Sequence, residues 1–452
     1  MSIPGLGQIP TQPVASSTRT VTLRPAWEWR FQVPFGGQVV VKVQTGTAEK
    51  DGVELAPRNA YTFCGTKSRI LTWHGCELEI EGRCDTESVA EYAGPADNPA
   101  NAVMNLHGHL NELRAAARRD RREGPRVLIA GLPSAGKSTV ARTVTSYATR
   151  QGFQPLVVNM DPREGMLTLA GSLSAAVFAT VMDPEAFEGW GSTPTSGPSS
   201  VPVKLPLVHY YGRENAEEEP EFYRELTARL AGTVSSRLSE DEDVKTSGVI
   251  LDSMGISEED QEGTELLAHI VDEFSVNIVV VIGSALIYEE LSRRFCNDKT
   301  SLGEPIQVVL LDKSTGVVVR DASFIQRARE AAIKEYFFGD VRRTLSPQIQ
   351  QADFSSLVIY KIADQTSYDG QSGLVREEPS SVMQHWTMAI MYASTRDSPE
   401  TVRAASVMGY VYVSDVDEER RKIKLLAPVS GRLGDRPMIW GKWPEPYINL
   451  LG

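Results

Sequence analysis

Between positions 131 and 138 the chain reads Gly131-Leu-Pro133-Ser134-Ala135-Gly136-Lys137-Ser138, with Thr139 next. The apolar stretch VLIAG leads into it, and STVARTVTSYAT follows with helical character. A glycine-bearing turn between a strand and a helix lets backbone N–H groups and the helix N-terminus converge on phosphate oxygens. The lysine offers its ammonium to the β and γ groups, and the serine hydroxyl offers a ligand to Mg²⁺. The segment has the pattern of a Walker A phosphate loop, and its expected ligand is ATP with Mg²⁺. No NKxD-like guanine signature accompanies it, which argues against GTP.

Two carboxylates lie downstream at the ends of apolar runs. Asp161 closes PLVVNMD and Asp252 closes GVILD. The carboxyl ends of strands face the ligand crevice of an open α/β sheet. Asp161 is therefore a candidate to hold Mg²⁺ through water or to accept a proton from an attacking hydroxyl. Asp252 is a second candidate for the metal shell. The alternative for both is a helix N-cap.

Positioning such groups requires a parallel sheet. From Arg126 onward, the apolar runs VLIAG, PLVVNMD, GVILDSMG, NIVVVIG and QVVLLD alternate with helical segments, the signature of strands buried on both faces. Before them, residues 19–100 carry short alternating segments separated by Gly, Asn and Pro, which predict a small β-sandwich. A helix over Ala102 to Arg122 connects the two, stopped by Gly124-Pro125. After residue 335 short β-like runs return. The expected fold is α/β: a flexible tail at 1–18, a β-sandwich at 19–100, a central phosphate-loop domain at 101–334 with a parallel sheet, and a β-rich α/β domain at 335–452. The segments EGWGSTPTSGPSS, ENAEEEPE and SEDEDVK read as solvated loops, and the basic run Arg114 to Arg126 as a solvated helix face.

Bulk properties exclude several classes. A net charge of −13 over 452 residues disfavours broad attraction to nucleic acid or anionic membrane. The longest apolar run, at Ile278 to Ile282, falls far short of the roughly 18–20 residues of a membrane span. The N-terminus lacks the basic and apolar regions of a secretory signal. Cys64, Cys76, Cys84 and Cys296 show no metal-binding spacing, which predicts a reduced compartment. The six histidines are scattered, and Trp27, Trp29, Trp73, Trp386, Trp440 and Trp443 read as core or interface anchors.

The order of motifs carries a further reading: TFCGTK and LTWHGCELEIEGR in front, EGPRVLIAG before the phosphate loop, the strand ending in Asp161, then LDKSTGVVVR and KEYFFG. In this order the chain resembles the Clp-type subunit of the pre-mRNA cleavage factor, in the polyribonucleotide 5′-hydroxyl kinase family. The likeness extends over nearly all of the chain. It implies three domains, a nuclear location, and partners among the other cleavage-factor subunits, including the one that binds the RNA polymerase II C-terminal tail. It also implies adenine contacts from Glu28 and Lys67, and phosphate and metal contacts from Lys137, Ser138, Thr139 and Asp161.

Departures from the family pattern affect catalysis. Active members follow the strand-end aspartate with a Gly-Gln-Gly turn, where this chain has Glu164. They carry a clasp tryptophan that stacks on RNA, where this chain has Ile256. Their lid presents two arginines five residues apart, where this chain has Arg320 and Ile325. Arg327 would point roughly 200° around a helix from position 325. The expectation is an ATP-holding scaffold of 3′-end processing with no catalytic residues. The alternative is an active RNA 5′-hydroxyl kinase, with Asp161 as base and Arg320 on the lid.

Overall fold

The computed structural model describes residues 18–186, 189–191, 206–317, 320–340, 344–363, 373–428 and 435–452. The expected tail at 1–18 therefore lies almost wholly outside the described residues. The chain divides into two compact units: residues 1–50 with 54–98, and residues 99–452 together with the tripeptide Asp51–Val53.

The first unit is a β-sandwich. One antiparallel sheet contains β1 (Thr18–Leu23), β3 (Val39–Gly46), β6 (Ala60–Phe63) and β8 (Cys76–Gly82), in the order β1-β8-β3-β6. The other contains β2 (Glu28–Gln32), β4 (Glu49–Lys50), β5 (Val53–Glu54), β7 (Lys67–Leu71) and β9 (Thr86–Ala90), in the order β5-β4-β7-β2-β9. Alternation does the work: in β3 Val39, Val41 and Val43 are buried while the residues between them are partly exposed. These valines pack with Trp29, Phe31, Phe63, Leu78 and Ile80 in one core.

The second unit opens with α1 (Ala100–Asp120). Its central sheet contains β10 (Arg126–Gly131), β11 (Leu156–Asn159), β12 (Ser172–Val177), β13 (Leu207–Tyr210), β14 (Val249–Asp252), β15 (Ile278–Ile282) and β16 (Gln307–Leu311), in the order β13-β12-β11-β14-β10-β15-β16. The five strands from β11 to β16 in this order are parallel, as the apolar runs predict. β12 and β13 extend the sheet antiparallel. Successive residues feed opposite cores. Val127 and Ile129 pack with α1 and with α2 (Lys137–Arg150), whereas Leu128 and Ala130 pack with α3 (Pro220–Glu240), α5 (Gln261–Glu273) and α6 (Ala285–Phe295). A short α4 (Glu242–Ser247) precedes β14.

Helix α7 (Ala322–Phe338) leads to a second seven-stranded sheet. It comprises β17 (Gln348–Asp353), β18 (Ile359–Ile362), β19 (Leu374–Glu377), β20 (Thr387–Met391), β21 (Val407–Asp417), β22 (Lys422–Ala427) and β23 (Met438–Trp440), with α8 (Pro399–Ala404) before β21. The order is β17-β22-β21-β20-β23-β18-β19. Ile333, Tyr336 and Phe337 of α7 share a core with Tyr410 and Tyr412 of this sheet and with Val208 and Tyr210 of the central one. No helix among the described residues is long and apolar enough to cross a membrane.

The described parts of the segments expected to be solvated loops are structured, and some of them are buried, though SEDEDVK stays largely exposed. Trp190 is 4% exposed and packs into the core beside Phe178; the rest of that segment lies largely outside the described residues. Within ENAEEEPE, Asn215 and Glu218 form a capping box. Glu219 is ion-paired with Arg213 and Arg403, both nearly buried. In the next acidic segment Asp241 caps α4. The basic run also divides: Arg114 is fully buried and donates to the Ser247 carbonyl, and Arg126 is buried against Glu123 and the Phe274 carbonyl. These side chains carry charge into the interior because each finds an oppositely charged or carbonyl partner there.

Candidate phosphate-binding site

The loop begins where β10, buried along its whole length, reaches the edge of the sheet. Gly131 has φ +144° and lies against β15, where an added Cβ would stand 2.7 Å from the Ile282 carbonyl oxygen. Ser134 at φ +54° and Gly136 at φ +99° turn the chain left-handed. A side-chain-bearing residue at positive φ is uncommon, and such positions cluster in functional loops. Gly136 then caps α2 with no side-chain hydrogen bond, so no cap side chain covers the first helical amides. Pro133 packs on Gly255, where a Cβ would come within 2.7 Å of the proline Cα. Ala135 is buried beneath the loop.

Lys137 opens α2. It is 7% exposed, and its Nζ donates to the Leu132 carbonyl at 3.2 Å, which folds the ammonium over the loop. The Ser138 hydroxyl lies beside the Asp252 carboxylate. Asp252 ends β14, which pairs directly with β10, so sheet register places it beside the loop. Burial pushes the Asp252 carboxyl up to about 7. The Ser138 hydroxyl and Lys137 pull it down, and Glu164 and Asp161 push it further up. Its Oδ1 is buried without a hydrogen-bond partner.

Asp161 follows β11. Its carboxylate accepts from the Arg163 backbone N–H at 3.0 Å and from Arg163 Nε at 3.3 Å. Burial raises its carboxyl, the Arg163 guanidinium opposes that, and Glu164 adds to it. No helix follows Asp161 or Asp252 directly; α5 is capped by Asp260. The N-cap alternative therefore fails for both. Asp161 instead closes a tight turn on its own backbone. Asn159 braces this turn by donating to the carbonyls of Asp161 and Glu164.

Arg320, just ahead of the α7 N-cap Asp321, points Nη1 to 3.9 Å from Glu164 Oε1. Val317 reaches the loop as well, since a Cβ on Gly136 would stand 3.4 Å from its Cγ2. Position 325 lies within the first turns of α7, where Ile325 is half-buried and Arg327 exposed. Ile256 is fully buried in the core beneath the central sheet, with its N–H donating to the Gly131 carbonyl. It braces the phosphate loop and does not line a surface on which RNA could stack.

The two front-unit candidates are not brought together. Glu28 pairs with Leu71 and Lys67 with Gln32, at opposite ends of β2 and β7, about 13 Å apart along the strands. Glu28 is fully buried. Burial opposes its ionisation, but the guanidinium groups of Arg69 and Arg30 outweigh it and hold the carboxyl below its usual range. Its carboxylate is committed to these two arginines.

The chemistry of the loop suits a nucleotide with a divalent cation. A buried carboxylate oxygen lacking a partner, beside the Walker hydroxyl, is what a hydrated Mg²⁺ satisfies. Among the described residues no group of three or more His, Cys, Asp or Glu side chains is arranged to hold a metal unaided. The cation would rest on Ser138, on water held by the carboxylates, and on the phosphates themselves. Two side chains that belong to no recognised motif are embedded nearby: Arg142 of α2 donates to Thr139, and Trp190 lies beside the Arg142 guanidinium.

A left-handed glycine loop on a buried parallel sheet, with lysine and serine opening the next helix, defines a P-loop nucleotide-binding protein. Family models match along the chain: the N-terminal beta-sandwich domain of polyadenylation factor at 22–117, the mRNA cleavage and polyadenylation factor CLP1 P-loop at 131–339, and pre-mRNA cleavage complex II protein Clp1 at 345–445. The mRNA cleavage and polyadenylation factor CLP1 of Pyricularia oryzae is 49% identical, and that of Chaetomium globosum 48%, each comparison covering 100% of both chains. The chain belongs to the mRNA cleavage and polyadenylation factor CLP1 family. Among solved structures, Clp1p in the wild-type Clp1p–Pcf11p complex superposes with a TM-score of 0.85 at 29% identity, over 94% of this chain and 98% of that one. A second structure of the same pair, with the same TM-score, identity and coverage, is described as the basis for ATP loss in a glycine-to-arginine point mutant.

Proposed function

We propose that this chain is an ATP-holding scaffold subunit of the nuclear pre-mRNA 3′-end cleavage and polyadenylation machinery, without kinase turnover. Its segments 19–100, 101–334 and 335–452 act as front, nucleotide-binding and C-terminal domains. The observation that carries the reading is the pairing of a complete phosphate loop and orphaned Asp252 oxygen with a fully buried Ile256. The first holds Mg²⁺ and nucleotide, and the second leaves no aromatic platform for an RNA 5′ end. A partner like Pcf11p is supported by the Clp1p–Pcf11p complexes that the fold matches.

Lys137 would neutralise the β and γ phosphates, Ser138 and the carboxylates of Asp252 and Asp161 would orient Mg²⁺, and the α2 amides would fix the phosphate oxygens. When bound, Mg²⁺ supplies charge neutralisation across the phosphates. The kinase alternative draws on Asp161, whose carboxyl feels the charge of Lys137, and on Arg320, which approaches Glu164. Nucleotide released from the purified chain and a labelled phosphate-transfer assay on 5′-hydroxyl RNA decide between the two. Bound ATP without transfer supports the scaffold, and transfer abolished by Asp161→Asn supports the kinase.

A further inference from the structure

One residue with no motif to announce it is enclosed at the base of the phosphate loop. Arg142 stands one turn into α2 and is nearly buried, with a side chain 8% exposed. Its Nη2 donates to Thr139 Oγ1 at 3.3 Å. Its Nε lies 3.4 Å from Asp51 Oδ2, whose side chain is 9% exposed. The Trp190 ring centroid is 5.9 Å from its guanidinium carbon. Gly189, at φ +79°, closes the remaining side so tightly that a Cβ there would stand 2.7 Å from Arg142 Nε.

Asp51 is held in place in its turn. Gly52, at φ +78°, presses on α2, where a Cβ would meet the Thr143 carbonyl oxygen at 2.9 Å and the Ser146 Cβ at 3.0 Å, and Val53 is buried in the core that α2 shares.

This enclosure has a consequence for Thr139, which follows the Walker serine in the first turn of α2. A threonine hydroxyl has one proton to give and lone pairs to accept with. Arg142 has only protons to give, so Thr139 Oγ1 must accept from it, and the hydroxyl proton is left to point elsewhere. We propose that Arg142 is a positioning residue for nucleotide binding. Asp51 orients its guanidinium, and the guanidinium fixes the Thr139 hydroxyl as a donor toward the phosphate of the bound nucleotide. A buried ion pair suits the task because its geometry is costly to disturb. Arginine suits it better than lysine because its planar fork serves two acceptors at once. The proposal rests on the nucleotide site described above and adds to it a second layer that starts from Asp51.

The test is a double-mutant cycle on the full chain, stripped of nucleotide and titrated with Mg²⁺ and ATP by calorimetry. Arg142→Met and Thr139→Val are each expected to weaken ATP by about fivefold to tenfold, the scale of one lost hydrogen bond to a charged ligand. The double variant is expected to be no weaker than either single one, because both remove the same donor. Asp51→Asn retains the arginine and a hydrogen-bonding partner. It is expected to give a smaller loss that disappears in the Thr139→Val background, and it serves where Arg142→Met fails to fold. Losses that multiply in either pairing, or wild-type affinity in Arg142→Met, overturn the proposal and leave the site intact. A wild-type chain that binds no ATP overturns the site itself and this proposal with it.

Discussion

At the scale of single residues, the site combines groups that cost stability with groups that hold ligand. Asp252 is the clearest case. Its carboxyl is raised by burial to about 7, above the ordinary 3.8. A carboxyl raised in the folded state binds its proton more tightly there, so its contribution is fully present below about pH 4 and is lost as pH rises through 7. The nucleotide-free chain should therefore lose stability over that window. Asp252→Asn should flatten the loss and raise stability at pH 8 by about 1–3 kcal/mol, while weakening Mg²⁺-dependent ATP binding. Melting curves at pH 5 and 8 and calorimetry with and without Mg²⁺ check both halves. A variant no more stable than wild type at pH 8 would count against an ionised, unpartnered Asp252. Lys137→Ala with Ser138→Ala removes the phosphate charge partner and the metal hydroxyl together, and calorimetry should detect no ATP binding.

At the scale of elements, the phosphate loop is braced from behind by the segment after β14. Ile256 fills the core under the loop and Gly255 admits Pro133. Ile256→Trp should therefore overpack that core and lower stability by about 1–3 kcal/mol, without creating any RNA-stacking activity. Denaturant unfolding and an RNA-binding assay measure the two effects. The packing of α1 on α2 should respond to acid through His107. His107 of α1 is buried beside the Tyr147 ring, and burial, with Arg114 and Arg150 behind it, lowers its pKa from 6.5 to about 4. An imidazole depressed in the folded state contributes stability that is present above pH 6.5 and lost as pH falls toward 4. The loss amounts to about 3 kcal/mol at most. His107→Gln should reduce the slope of stability against pH between 6.5 and 4, read from urea midpoints at each pH.

At the scale of the whole molecule, a ligand bound only by the folded chain stabilises it by mass action. Millimolar ATP acting on a micromolar site contributes about 4 kcal/mol. The scaffold reading therefore predicts a melting temperature that rises with Mg²⁺ and ATP and falls when the metal is chelated. It also predicts no detectable 5′-hydroxyl kinase activity on RNA or DNA. The resemblance implies that active members use a second lid arginine and a clasp tryptophan at the transfer step, where this chain has Ile325 and Ile256. Robust transfer by the unmodified chain would promote the kinase alternative.

The phosphate loop was legible in the sequence because its chemistry is local: glycines, lysine and hydroxyl must stand at fixed offsets between a strand and a helix. Four of the five parallel strands were legible for the same reason, since burial on both faces writes an unbroken apolar run; β16 reads the same way but lies at the sheet edge, with Leu310 exposed. What escaped the sequence depends on distant partners. Glu219 and Arg114 looked solvated because charge predicts exposure unless a counterpart exists, and theirs are Arg403 and the Ser247 carbonyl, 184 and 133 positions away. Trp190 sat in a segment with loop composition. Arg142 had no motif, and Ile256 read as an absent aromatic until the sheet placed it in the core. Sequence determined which groups could bind a phosphate, because that depends on neighbours along the chain. Only the tertiary structure decided which charged and apolar side chains support that binding, because their partners are assembled by folding.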